Sequence, residues 1–323
     1  MMQKIVNLRS WISHNLPELK PPVCNKMIFD NQLKMFLVNG PNERSDFHIN
    51  MGEEIFIMIQ GNMVLKIIDD GSLKDIIIKE GELFVLPANV PHSPQRPPKS
   101  IGLVIERERT DRELDCLRYY SDDGSETIFQ RWFRCENLAT DLIPIIQEFK
   151  LFKENNSIIH NGVDRCGSNT DDFRTKYFKK YGDYDSIDPQ EPSPLYMEKP
   201  IRLSNWLGVK LLIEEEVVEG MMVEEDEDNS EDFFALETSF SLIETREVDV
   251  GIYRTGFHTI VNCFGDMLLW HHGSRGEIRF EDKCLPLSNQ DCILLSCEGC
   301  FTLYSRGPTI AITLRKFCPS DSS

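Results

Sequence analysis

A mainly β chain, built as two small barrels with a few short helices, is the fold class the sequence predicts, and three observations predict it. Short apolar or alternating runs recur through both halves of the 323 residues. Gly, Asn, Asp and Pro punctuate them at near-regular intervals, the rhythm of a sandwich or barrel. Between the two β-rich regions lies a polar tract, Asn155 to Pro200, rich in Asp, Asn, Pro and Tyr. The division that follows is residues 1–154 for a first barrel, 155–200 for a connector and 201–323 for a second barrel.

Taken in order, Leu8 to Leu16 predicts a short opening helix, and Gln32 to Asn39 a strand. Pro41 and Asn42 start a loop that ends near His48. Glu54 to Gln60 is a strand, Gly61-Asn62 a hairpin turn, and Met63 to Ile68 the return strand. Asp69-Asp70-Gly71 turns again, before strands at Asp75 to Lys79, Glu82 to Leu86 and Ile101 to Glu106. Thr140 to Lys153 has helical apolar spacing, with Thr140 or Asp141 as N-cap. In the second half the strands are Ser239 to Ile243, Glu247 to Tyr253, Met267 to Trp270, Glu277 to Phe280, Cys292 to Ser296, Phe301 to Tyr304 and Thr309 to Leu314.

Composition excludes several classes. The formal charge of −18 argues against a nucleic-acid binder, whose affinity rests on clustered Lys and Arg. Much of the excess is local: residues 214–232 hold eleven acidic side chains and no basic one, which reads as a solvated insertion. No apolar run approaches the roughly 18 residues of a membrane span, and Met1 to Leu16 lacks the apolar core of a signal peptide. The ten cysteines are scattered, which favours reduced thiols and a cytoplasmic setting. Cys297 and Cys300 form a lone CxxC without the second pair that a structural zinc site needs.

Two segments carry the chemistry. The first runs from His48 through Glu54, six residues on, to a closing Gly61; the second has Gly81, Pro87 and His92. His48 ends a loop and Glu54 opens a strand, so both can face one cavity, with Phe56, Met58 and Gln60 continuing the face of Glu54. His92 follows Pro91 near the barrel mouth. Each residue is unremarkable alone. Together, two imidazoles and one carboxylate with open positions are the ligand set of non-haem Fe(II) oxygenases, a set that accepts Mn(II) equally. His271-His272 has no such surroundings; on a strand its rings point to opposite faces, which reads as a structural or surface pair without a second metal.

These motifs resemble the cupin family, so that the fold expected is a bicupin of two cupin-type barrels, the C-terminal one degenerate. Two positions depart from the usual pattern: Asn50 stands where a second motif histidine is usual, and Asn89 where a glycine is usual. Within the cupins, the segments Pro21–Lys26, Gly40–Arg44, Phe47-His48, Gly52–Glu54, Leu86–Arg96, Gly102–Glu106, Leu117–Tyr120 and Pro144–Phe149 resemble the 3-hydroxyanthranilate 3,4-dioxygenase family in its single-chain, two-barrel form. The likeness is dense over the first half and thin from about Asn155 onward. It implies Fe(II) on His48, Glu54 and His92. It implies substrate contacts from Arg44, Arg96 and Glu106, with Glu54 beside them and Asn25 lining the pocket. It also implies a reaction, ring cleavage of 3-hydroxyanthranilate with O2 to 2-amino-3-carboxymuconate semialdehyde on the kynurenine route to quinolinate and NAD. The partners expected are the aromatic substrate and O2, with no nucleic acid, no membrane and a monomeric chain. Another cupin dioxygenase or isomerase, and a non-catalytic binding or storage cupin, remain as alternatives.

Overall fold

The computed structural model describes residues 3–21, 24–42, 44–110, 113–122, 124, 126–156, 167–168, 193–207, 239–262, 264–281, 283–296 and 298–315. The acidic stretch 214–232, Cys297 and most of the connector lie outside them. In chain order the first half gives β1 (Gln3–Asn7), α1 (Leu8–Asn15), β2 (Asn25–Asp30), β3 (Leu33–Asn39), β4 (Phe47–Ile49), β5 (Glu54–Gln60), β6 (Met63–Asp69), β7 (Ser72–Ile78), β8 (Glu82–Leu86), β9 (His92–Gln95), β10 (Ile101–Arg107), β11 (Asp115–Tyr120), β12 (Thr127–Phe133) and α2 (Leu138–Asn156). Then come β13 (Gly167–Ser168), β14 (Ile201–Arg202) and α3 (Ser204–Leu207). The second half adds β15 (Ser239–Glu244), β16 (Val248–Tyr253), β17 (Gly256–Asn262), β18 (Asp266–His271), β19 (Arg275–Phe280), β20 (Lys283–Ser288), β21 (Asp291–Ser296), β22 (Gly299–Arg306) and β23 (Thr309–Leu314).

The mainly β, two-barrel class expected from the sequence is the one observed. The first barrel closes a six-stranded sheet, β14-β8-β5-β10-β3-β2, against a seven-stranded one, β13-β12-β11-β4-β9-β6-β7. The second closes β1-β21-β18-β23-β16-β15 against β17-β22-β19-β20. The two six-stranded sheets share one core: Ile55, Ile57, Leu103 and Ile105 cluster with Val250, Ile252, Leu268 and Ile312. This is why Glu54–Gln60 reads as an almost unbroken apolar run. One face of β5 meets the other half, while Phe56 and Met58 fill the first barrel with Phe36, Val38, Phe84 and Val104.

Each half also lends an edge strand to the other. β1 pairs antiparallel with β21, Gln3 opposite Leu295, and β14 pairs with β8, Ile201 opposite Leu83. The exchange is part of an approximate two-fold relation, since β14, β8, β5, β10, β3 and β2 take the order that β1, β21, β18, β23, β16 and β15 take. In register, Glu54 faces Leu86 and Glu106, as Met267 faces Leu295 and Thr313. Met267 is therefore the counterpart of Glu54. It packs with Ile260, Leu269, Phe301 and Leu303, so the second barrel is filled with apolar side chains where the first has carboxylate and imidazole.

Several local expectations are corrected. The first helix stops at Asn15, one residue early, and Pro17 sits in a 3₁₀ turn after it. Asn7 caps it, accepting from the Ser10 N–H at 3.2 Å. The long helix begins at Leu138, so neither Thr140 nor Asp141 is its N-cap. Asp141 lies in the first turn and reaches back to the backbone N–H groups of Glu136 and Asn137 at 2.8 Å. β7 starts at Ser72, three residues before the expected Asp75, because Asp70 and Gly71 both hold positive φ (51° and 69°) in a two-residue hairpin. Strands β1, β2, β4, β9, β11, β12, β13, β14, β17 and β20 were not expected; β4 has only 3 residues and β9 contains Pro94. His271 and His272 are both buried, which excludes the surface half of that reading and keeps the structural half. His271 meets Thr309 Oγ1 at 3.0 Å, and the His272 ring packs 4.3 Å from Trp270.

Candidate metal centre

The first barrel brings its two motifs together through strand register. β4 and β9 pair with His48 opposite His92, on the sheet that faces β5, whose first residue is Glu54. Asn89 holds φ +64°, the left-handed conformation that suits Asn or Gly, which accounts for Asn where the motif usually has Gly. Its N–H donates to the Asn50 carbonyl at 2.8 Å, tying the two motifs together ahead of the ligands.

His48, Glu54 and His92 converge: one ligand atom from each lies within 4.8 Å of the others, and all three residues are buried. His48 Nδ1 is 3.7 Å from Glu54 Oε1, and His92 Nε2 is 3.4 Å from Glu54 Oε2. The remaining ring nitrogens are already engaged. His48 Nε2 donates to Asp115 at 2.5 Å and His92 Nδ1 to the Val90 carbonyl at 3.0 Å. Each imidazole is thus held in the tautomer that turns a lone pair toward Glu54, as metal-ligating histidines require. Burial works against a charge on Glu54, but the two histidines and the Asn50 amide outweigh it and hold the carboxyl well below its usual range. The donor set fits a divalent transition-metal ion with open positions.

The three ligands line one cavity that also has polar and apolar walls. Phe36, Val38, Phe56 and Val104 form apolar walls, and Leu138 and Leu142 of α2 close one side. Asn25, Arg44 and Arg96 line it as well. Arg44 is bound by Asp46 through Nε at 2.9 Å and Nη2 at 2.5 Å. Arg96 pairs with no carboxylate among the described residues, and its buried Nε has no hydrogen-bond partner. Burial, followed by repulsion from Arg44, pulls the Arg96 pKa down to about 10. Two crowded guanidiniums, one of them without a carboxylate partner among the described residues, make this cavity a place for an anion.

Glu106 is placed differently. It is 1% exposed and stands in register with Glu54 on the neighbouring strand, but it is not among the residues lining the cavity. Its carboxylate accepts from Arg109 at 2.7 Å and from Asn50 at 3.0 Å. Burial pushes the carboxyl up against the opposing pull of Arg109. Sequence reading missed Asp115, Arg109 and the wall from α2. A carboxylate at Asp115 inside a strand-like run was a usable signal, because a charge among apolar strand residues implies a buried partner. Nothing local marks Arg109 among its neighbours in Glu106–Arg109.

Comparison with known proteins follows the same division. A family model described as 3-hydroxyanthranilic acid dioxygenase matches residues 1–150. The 3-hydroxyanthranilate 3,4-dioxygenase of Danio rerio is 53% identical over 150 residues, and the chain spans about half of that relative's length (52%). Among solved structures, a cupin 2 conserved barrel domain protein from Leptotrichia buccalis covers 97% of the chain at 11% identity with a TM-score of 0.44, too remote to add to the assignment. The 3-hydroxyanthranilate 3,4-dioxygenase of Xenopus laevis is 32% identical over 317 residues, 97% of either chain. A match at that identity from end to end, through both barrels, means that the chain belongs to the 3-hydroxyanthranilate 3,4-dioxygenase family.

Proposed function

We propose that this protein is an Fe(II)-dependent dioxygenase that opens the ring of 3-hydroxyanthranilate with O2, giving 2-amino-3-carboxymuconate semialdehyde. The observation that carries the reading is that a buried His48–Glu54–His92 triad and a buried cation without a carboxylate partner among the described residues, Arg96, line one cavity. Charge accounting supports it. Glu106 and Asp115 share one guanidinium, Arg109, and Glu54 adds a third carboxylate beside the histidines, leaving two formal negative charges, which a divalent ion neutralises. Arg96 leaves one positive charge, which a single substrate carboxylate neutralises.

Fe(II), when bound, supplies the electron-transfer route between an aromatic ring and O2 that their spin states otherwise forbid. The chain's own residues do the rest. Arg96, with Arg44 beside it, takes the substrate carboxylate through charge-assisted hydrogen bonds. Phe36, Phe56 and Val104 hold the ring and exclude water. Asn25 lines the same pocket. Glu106, which stands behind the cavity lining in this structure, is the proposed acceptor for the ring amino or hydroxyl group once substrate is bound; each of its oxygens carries two lone pairs, so acceptor capacity remains beyond Arg109 and Asn50. In this reading the protein acts as a monomer in the cytoplasm, on the route from tryptophan through quinolinate to NAD. No helix among the described residues is long and apolar enough to cross a membrane.

The test is an aerobic assay with 3-hydroxyanthranilate, with and without added Fe(II), beside His48→Ala. Iron-dependent O2 uptake and ring-opened product, absent in the variant, is the expected result. Iron bound without turnover would redirect the search to other aromatic substrates, and no bound iron would leave a non-catalytic cupin.

A further inference from the structure

Behind the three ligands runs a ring of buried hydrogen bonds. It starts at His48, whose Nε2 donates to Asp115 Oδ2 at 2.5 Å. Asp115 is gripped by one edge of a guanidinium: Arg109 Nε reaches Oδ1 at 2.5 Å and Nη2 reaches Oδ2 at 2.8 Å. The same guanidinium grips Glu106 on its other edge, through Nη1 at 2.7 Å and Nη2 at 3.3 Å. Asn50 Nδ2 then donates to Glu106 at 3.0 Å and to Glu54 Oε1 at 3.1 Å. Asn50 is itself fixed, its Oδ1 accepting the Gly52 N–H at 2.9 Å. The ring therefore leaves the metal site at one ligand, His48, and returns to it at another, Glu54.

Arg109 is the only member that touches two carboxylates of the ring bidentately. Its fork can satisfy Asp115 and Glu106 at once because the guanidinium is planar and carries five donors. Without it, Asp115 and Glu106 would be two buried carboxylates with no cation between them. Asp115 would also lose the contact that fixes its orientation toward His48.

We infer that Arg109 is a positioning residue that sets the tautomer of His48 and the placement of Glu106 together, and so couples metal affinity to substrate binding. The inference rests on the metal-dependent reading given above. It has a chemical consequence at His48. Asp115 only accepts, so it holds the imidazole with its proton on Nε2 and its lone pair on Nδ1, facing Glu54. An amide at position 115 can donate instead, which favours the other tautomer and takes the Nδ1 lone pair away from a metal. A lysine at position 109 brings one point charge in place of a fork and can serve one carboxylate at a time.

The experiment is Co(II) binding, by titration calorimetry and by the visible absorption of the bound ion, in the native chain, Arg109→Lys, Asp115→Asn and the double variant. Near-ultraviolet circular dichroism without metal reports whether each variant keeps the fold; Asp115→Asn, nearly isosteric, serves if Arg109→Lys does not. Each single variant is expected to bind Co(II) roughly 10–100-fold more weakly with an altered spectrum. The double variant is expected to lose little more than either single one, because both break one ring. In the iron-loaded protein, Arg109→Lys is expected to raise KM as well as lower kcat. Native Co(II) affinity and spectrum in folded single variants would overturn the inference while leaving the metal site intact. Fully additive losses in the double variant would overturn the coupling. A native chain that binds no Co(II) would instead overturn the metal reading on which the inference stands.

Discussion

Glu53 and Asp266 are counterparts that clasp the two halves. Each follows a glycine, Gly52 or Gly265, and each accepts from the first hairpin of the opposite barrel. Glu53 takes the Arg246 and Glu247 N–H groups at 3.2 Å, together with the hydroxyls of Thr245 and Tyr196. Asp266 takes the Leu33 N–H at 2.9 Å and the Asn31 amide at 3.0 Å. Both carboxylates are nearly inaccessible, so removing either leaves buried donors without an acceptor. Glu53→Ala is expected to destabilise the protein by about 2–3 kcal/mol, read from the urea midpoint. A loss below about 0.5 kcal/mol, the usual size for a surface substitution, would show that water replaces the carboxylate.

Arg96→Ala separates binding from folding. Its guanidinium has no carboxylate partner among the described residues, so deleting it costs the fold no ion pair and relieves a buried charge. KM for 3-hydroxyanthranilate is expected to rise roughly 10–100-fold, with the thermal midpoint unchanged or higher. Unaltered KM in steady-state kinetics would remove Arg96 from the substrate site.

Acid stability has a handle far from the metal. Burial, with the neighbouring His271 adding to it, lowers His272 from 6.5 to about 3. The folded pKa lies below the unfolded one, so in this window the unfolded chain binds the extra proton. The stability owed to a neutral His272 is complete above about 6.5 and drains as pH falls toward 3. His272→Phe, which retains a ring against Trp270, is expected to flatten the decline in thermal midpoint between pH 7 and pH 4. Parallel curves for the two proteins would mean that His272 is not neutral in the fold.

A fragment of residues 1–154 tests how far the first barrel stands alone. It would lose β14 from beside β8 and β21 from beside β1, and would expose Ile55, Ile57, Leu103 and Ile105. Aggregation or a molten state by near-ultraviolet circular dichroism is expected. A soluble fragment with sharp, cooperative melting would show that the shared core is dispensable.

The legible parts of this chain are those where one residue type carries one meaning. Gly61 and the Asp70-Gly71 turn mark hairpins because few other residues hold positive φ. His48, Glu54 and His92 stand out because a barrel leaves little reason for such side chains inside. The less legible parts depend on contacts across long sequence separations. Asn50 looks like a loss when read as a missing histidine; only the structure shows its amide bridging Glu54 and Glu106. β9 is unrecognisable alone, with Pro94 in its middle, and exists because β4 and β6 flank it. Helix α2 was expected, but its side chains closing the cavity were not, since helical spacing does not say what a helix covers.

Successive residues at the start of β5 and along β10 do unrelated jobs. Glu54 faces the cavity and Glu106 the hydrogen bonds behind it, while Glu53 and Arg107 serve the opposite barrel, Arg107 through an ion pair with Glu247 at 3.0 Å. These strands therefore carry two messages interleaved by parity. Deleting or inserting one residue ahead of Glu54 would not merely weaken the site. It would exchange the two messages, sending the clasp carboxylate toward the metal and the ligand carboxylate into the seam between barrels. Natural length variation is expected to fall outside the segment from His48 to Gln60, and any tolerated change within it to come in pairs.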